Sequence, residues 1–287
     1  MGGICGCAIN NTLIQYCHVQ DTIVTAIGDC AGGLVGEIIR GCLIHSYQLG
    51  VLSNPTVLIV SAANQTAGGL VGILEMAAVC ECGIERGLVA SKNNSGGVVG
   101  QISGLTNLTQ VYATSLVTVQ AYLLNIGGLI GSILCSQSPT SLTDSYSAAN
   151  VIPAPNSGGL IGAVLAPVKF VDGLLSKLFH IFTSFLNLIK VYVVPNFSHI
   201  NGTIMASCYG TTISYMNVFY LNDSSLPDIG SNSTCSLPYP SNCSNTVADL
   251  QNLVNQTFNK CVWDGYRLRS EYNYTATFAS TFSQSFE

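Results

Sequence analysis

Charge is scarce in this 287-residue chain: only 8% of its residues are Asp, Glu, Lys or Arg, against about a quarter in an ordinary globular protein. Nine Lys and Arg against fourteen Asp and Glu leave a net charge of −5. That balance excludes the clustered basic face a phosphate backbone requires, so nucleic acid is not an expected partner. Tryptophan occurs once and histidine four times. His18, His45, His180 and His199 have neither HExxH nor any paired spacing, so they read as surface or packed side chains, not ligands. The acids Asp21, Asp29, Glu37, Glu75, Glu81 and Glu85 share no repeat position, whereas a lyase or hydrolase needs clustered carboxylates. A Gly-x-Ser-x-Gly elbow is absent, and no Gly-Lys-Ser/Thr follows any glycine loop. The expectation is a chain with no catalytic residues, no metal and no cofactor. Met1-Gly2-Gly3-Ile4-Cys5 also lacks the basic start and apolar core of a signal peptide. Together with the secretory signals below, this predicts a precursor cut upstream or a fragment of a longer chain.

Cysteine, by contrast, is abundant. Cys5, Cys7, Cys17, Cys30, Cys42, Cys80, Cys82, Cys135, Cys208, Cys235, Cys243 and Cys261 make twelve, which points to an oxidising compartment and to disulfides. Their pairing is not legible, and burial of some as free thiols is the competing reading. Cys5-x-Cys7 and Cys80-x-Cys82 are too tightly spaced for the usual zinc pattern, so disulfides between neighbouring coils are preferred. Asn-x-Ser/Thr sequons are commoner still. They stand at Asn10, Asn64, Asn93, Asn107, Asn196, Asn201, Asn222, Asn232, Asn242, Asn255 and Asn273, eleven where composition alone gives about four. Covalent N-linked glycans would solvate a surface that has few charges. The expected location is extracellular or at the cell surface, reached through a eukaryotic secretory pathway.

A repeat organises the sequence. Gly2-Gly3-Ile4-Cys5-Gly6 recurs as Gly32-Gly33-Leu34-Val35-Gly36, Gly68-Gly69-Leu70-Val71-Gly72, Gly96-Gly97-Val98-Val99-Gly100, Gly127-Gly128-Leu129-Ile130-Gly131 and Gly158-Gly159-Leu160-Ile161-Gly162. The copies are spaced by 30, 36, 28, 31 and 31 residues. Stacked coils need glycine where a Cβ would strike the coil above or below. Two residues past each last glycine stand Ala8, Ile38, Leu74, Ile102, Ile133 and Val164, all apolar, while the residue between is mixed; this is the two-residue period of a strand. A tyrosine-bearing strand follows most copies, at Tyr16-Cys17, Ser46-Tyr47, Val111-Tyr112-Ala113, Ser145-Tyr146-Ser147 and Cys208-Tyr209-Gly210, with Cys80-Glu81-Cys82 in that place in the third. Val35, Val71, Val99, Ile130 and Ile161 are expected to form an outward apolar ladder.

These glycine pentapeptides about thirty residues apart, each followed by a tyrosine strand, resemble GLUG-motif repeats of adhesins and secreted protist surface proteins. Asn217-Val218-Phe219-Tyr220 is similar to the aromatic strand that closes the last repeat. Val247 to Gly265, with Trp263 and Asp264, is similar to the helix and Trp-Asp segment that follows. The resemblance implies an all-β fold, a right-handed parallel β-solenoid of about six coils, with a surface role and no catalytic residues. It covers residues 1–165 and 203–265; the cysteines, sequons and a long insertion depart from it.

The insertion, 166–202, carries a helix predicted over Lys169 to Lys190, whose polar residues recur every three or four. That stripe is too polar for a membrane span, and membrane contact is not expected. A 22-residue helix spans about 33 Å and six coils about 29 Å, so the helix is expected to cover the apolar ladder. The last coil is placed at 203–222, a disulfide-bearing cap at 223–270 and a strand-donating tail at 271–287. The functional expectation is a structural glycoprotein subunit of an extracellular filament, coat or appendage, self-associating or assembling with other surface proteins. An adhesin binding through its loops is the first alternative, and a carbohydrate-active enzyme the second.

Overall fold

The computed structural model describes residues 1–50, 58–134, 140–152, 154–165, 184–193, 205–209, 211–221 and 242–244. Every one of these segments that carries regular structure is a strand, and every strand pairing is parallel. Parallel neighbours about thirty residues apart define a β-solenoid, and the repeated glycines explain the close stacking. Five coils contribute a strand to all three sheets. In each coil a short strand ends on the first glycine of the pentapeptide, as in Asn94–Gly96 or Asn125–Gly127. The chain then bends, and a five-residue strand such as Val99–Ser103 or Ile130–Leu134 follows. A third strand returns on the remaining face, for example Thr106–Ala121 after Val99–Ser103. The sheet of five-residue strands has seven members, from Cys5–Ile9 to Met205–Tyr209.

Register is strict. Gly32, Gly68, Gly96, Gly127 and Gly158 lie opposite one another. The bends keep the ladder intact, since Leu34, Leu70, Val98 and Leu129 each donate a backbone hydrogen bond to the next coil, the last two to Leu129 and Leu160. Each glycine has its own neighbour. A Cβ on the first glycine of a pair would strike the carbonyl oxygen three residues on, as at Gly96 and Val99. A Cβ on the second would meet the next coil and an interior side chain of the third sheet: Gln48 for Gly33, Ile84 for Gly69, Ala113 for Gly97. The glycine pairs therefore let two faces close on one core.

That core is continuous and includes Ile38, Leu74, Ile102, Ile133 and Val164, as the two-residue period predicts. Several expectations are corrected. Val35, Val71, Val99, Ile130 and Ile161 are fully buried, as are Leu34, Leu70, Val98, Leu129 and Leu160; most of the helix expected to cover them lies outside the described residues. The helix expected through Lys190 is overturned over its last third, because Ser184–Val193 is a strand between Thr140–Ser147 and Thr211–Leu221. Its Phe, Ile, Val and Tyr content suits a strand. The earlier part of that helix, Val247 to Gly265, and the tail from Glu271 lie outside the described residues.

The aromatic positions shift as well. Tyr47, Tyr112, Tyr146, Tyr192 and Phe219 occupy one register column, with Gly83 in the third copy and His18 in the first. Tyr112 and Tyr146 stack with ring centroids 5.6 Å apart, and a Cβ on Gly83 would overlap the Tyr112 ring. Tyr16 is not in this column; it stands two residues earlier, at a corner. Tyr209 is in the seven-strand sheet, opposite Leu165, and Tyr192 takes the place expected for it.

Candidate interaction surface

The first coil is paired on one side among the described residues. Cys5–Ile9 begins the seven-strand sheet, Leu13–Gln15 begins the third sheet, and His18–Gln20 and Val24–Ala26 each pair on one side only, among the described residues. Residues 1–20 contain no Asp, Glu, Lys, Arg or Pro. Soluble proteins ordinarily blunt a free edge with such residues. Here Met1, Ile4, Ile9, Leu13, Tyr16, Ile23 and Ile27 are exposed instead, Tyr16 to 67% and Ile27 to 87%.

A ridge runs from this edge along one corner. Tyr16, His45, Glu81, Gln110 and Asp144 hold equivalent places in successive coils, and each has a left-handed backbone with φ between 47° and 54°. The next position carries Cys17, Ser46, Cys82 and Ser145, and their Sγ or Oγ donates to the carbonyl two residues back. That hydrogen bond holds the corner. Ser46 and Ser145 Oγ and Cys82 Sγ also accept a backbone N–H from the preceding coil. On the outside, Tyr16 stacks on His45 with centroids 5.0 Å apart, and His45 Nδ1 donates to Glu81 Oε2 at 2.8 Å.

A second ladder was missed in the sequence. Asn94, Asn125 and Asn156 stand in register two residues before the glycine pair. Asn156 Nδ2 donates to Asn125 Oδ1 and Asn125 Nδ2 to Asn94 Oδ1, both at 2.8 Å, and Asn94 Nδ2 donates to Gln101 Oε1. The available signal was the recurring Asn-x-Gly-Gly of the last three copies.

On another corner, Ser61, Leu88, Lys92, Gln120, Tyr122 and Leu123 line a groove of about 540 Å³. Four sequons fall on described side chains. Asn10, Asn64 and Asn107 are exposed and Asn93 is half-buried. Asn10 has a left-handed backbone; Asn64 Nδ2 donates to Ile27 O and Asn93 Nδ2 to Asn64 O. Asn242 falls in the strand Asn242–Ser244, and the other sequons lie outside the described residues. Cys5, Cys7, Cys17, Cys30, Cys42, Cys80 and Cys82 are free thiols. Burial raises the thiol pKa of Cys5, Cys7, Cys80 and Cys82, and at Cys7 and Cys80 the carboxylates of Glu37 and Glu81 raise it further. Cys208 and Cys243 fall in strands; Cys135, Cys235 and Cys261 lie outside the described residues. Among the described residues no three His, Cys, Asp or Glu side chains are grouped to hold a metal ion.

No family model matches the chain, and neither curated proteins nor solved structures yield a match.

Proposed function

We propose that this chain is a structural glycoprotein subunit of an extracellular filament, coat or appendage, built as a right-handed solenoid of the GLUG-repeat type and joined to its neighbours through coil ends. The observation that carries this reading is the parallel stack itself, in which each coil is held by the coils beside it and the chain carries few charges. N-linked glycans at the sequons supply solubility to the flanks, with Asn10, Asn64 and Asn107 open to modification. The free thiols Cys5, Cys7, Cys17, Cys30 and Cys42 of the first two coils are the described candidates for oxidation to disulfides after secretion. No enzymatic activity is part of the proposal.

The test is direct. The glycosylated chain, secreted from eukaryotic cells, is imaged by negative stain and weighed before and after deglycosylation and reduction. Extended polymers and glycan mass are the expected result, and single short rods without glycan mass would overturn it. One observation favours a second reading, a module that binds a surface ligand: the groove with Lys92, Gln120 and Tyr122 offers a cation, an amide and an aromatic face together. Single short rods carrying glycans would select this reading.

A further inference from the structure

The groove lined by Lys92, Gln120 and Tyr122 has a cause in the register. Ala26, Ala62, Ser91 and Ala121 follow one another in one column, and Cys30, Thr66, Asn94 and Asn125 in another. Between the two columns the chain turns a corner. It takes three residues at 27–29, 63–65 and 122–124, but only two at 92–93. The short corner leaves a notch between its longer neighbours, and the small side chains of Ala62, Ala90 and Ser91 widen it. Backbone bonds from Tyr122 N–H to Ser91 O and from Leu123 N–H to Lys92 O fix the far wall. There Tyr122 is 68% and Leu123 49% exposed, in a part of the stack whose strands are paired on both sides. No Asp or Glu lines the groove.

Two sequons stand at the edge of this notch. Asn64 follows the lining residue Ala63, and Asn93 follows Lys92. Asn93 is half-buried, and its Nδ2 donates to Asn64 O at 3.4 Å, which sets the amide nitrogen against the near wall. A glycan replaces one amide hydrogen and leaves the other for that bond. We propose that the N-linked glycan of Asn93 lies in the groove, its first sugar rings packed on Tyr122. This rests on the glycoprotein reading and says where one glycan goes. Position names the occupant: a sugar chain tethered one residue from Lys92 meets the groove at an effective concentration no free ligand matches. The chemistry agrees. An N-acetylglucosamine ring offers an apolar face to Tyr122 and Leu123, an acetamido carbonyl to the Lys92 ammonium, and hydroxyls to Gln120 and Ser61. A volume of about 540 Å³ is in the range of ligand sites. A groove filled in this way is closed to an outside ligand, and its exposed aromatic and leucine side chains are covered without any added charge.

The full chain and its Tyr122→Ala, Asn93→Gln and Asn64→Gln variants, with the doubles that combine Tyr122→Ala with each asparagine change, are secreted from eukaryotic cells. Glycopeptide masses give the occupancy of each sequon, and thermal unfolding gives the coupling between glycan and tyrosine. Asn93 is expected to carry a glycan. Tyr122→Ala should lower the melting temperature by about 2 °C or more in the wild type and in Asn64→Gln, and by less than about 1 °C once Asn93→Gln has removed the sugar. A second readout needs no sequon change: a mannosidase acting on the native wild type should trim the Asn93 glycan about fivefold more slowly than the Asn64 glycan, and Tyr122→Ala should abolish the difference. An occupied Asn93 with equal trimming and no coupling overturns the docking and leaves the glycoprotein reading standing. Coupling that disappears with Asn64→Gln instead overturns the assignment to Asn93. A bare Asn93 beside other occupied sequons overturns the inference alone. A chain with no glycan at any sequon overturns it together with the glycoprotein reading.

Discussion

At Gln48 an amide lies wholly buried with neither its nitrogen nor its oxygen hydrogen-bonded. Its column neighbours are Val19 and Ile84, and its side chain packs on Gly33. An unsatisfied buried amide costs about 1–3 kcal/mol, so Gln48→Met, nearly the same volume, should stabilise the chain by about 1 kcal/mol or more in denaturant unfolding. An unchanged or lower midpoint would show that the amide has a partner in solution. Cys82 is the converse case. Its thiol donates to Cys80 O and accepts from the Ser46 N–H at 3.4 Å, the work a hydroxyl does at Ser46 and Ser145. Cys82→Ser should therefore cost less than about 1 kcal/mol, and Cys82→Ala more, because the Ser46 N–H is left without an acceptor. Burial raises the Cys82 thiol above the ordinary value of 9.0. The unfolded chain then releases this proton first, so stability is whole below pH about 9 and falls as pH rises beyond it, by up to about 1.4 kcal/mol per unit. In Cys82→Ser that share of the alkaline loss should vanish from unfolding curves taken between pH 8 and 10.

Among the elements, the asparagine ladder has the sharpest chemistry. Asn125 is buried and gives one hydrogen bond while taking another. Asn125→Asp keeps the shape but sets a carboxylate oxygen against Asn94 Oδ1. Repulsion and the cost of a buried charge should lower stability by about 2–3 kcal/mol at neutral pH. Acidification should restore part of that, since a protonated carboxyl can donate again; a loss independent of pH would place the ladder in solvent. Such features show what the sequence could carry. The glycine spacing and the two-residue period placed the five-residue strands and their buried Ile38, Leu74 and Ile102 correctly, because both follow from backbone contact and alternation. Tyr16 misled because a motif of Tyr followed by a small residue fits the left-handed corner as well as the aromatic column. Residues 184–190 were read as helix because Thr183, Asn187 and Lys190 continue a polar spacing of three or four, which the short apolar runs between them leave equally open to a strand. The candidate surface was legible only in outline: the left-handed corner from Tyr16 to Asp144 and the asparagine ladder required coordinates.

For the whole molecule, stacking makes stability a matter of neighbours. Each coil touches only the coils beside it, so stability is a sum of coil terms and junction terms. Among the described residues the inner coils are paired on both sides, whereas the first coil is paired on one and has exposed Ile9, Leu13 and Tyr16. Opening should therefore begin at that end and pass inward. Amide hydrogen exchange of the dilute chain should be fastest in Cys5–Ile9 and Leu13–Gln15 and slowest in the central strands Val99–Ser103 and Ile130–Leu134. A strand that stacks on Cys5–Ile9, which pairs on one side only among the described residues, protects that element first. Protection of that strand should rise toward the level of Val35–Ile39 as concentration increases, while the central strands stay unchanged. A uniform rise over the chain would mean general compaction, and protection confined to the Lys92 and Tyr122 corner would mean that copies meet side by side. The gradient thus reads the direction of assembly from the same hydrogen bonds that hold the coils together, because in a solenoid the contact between molecules and the contact within one are the same kind of bond.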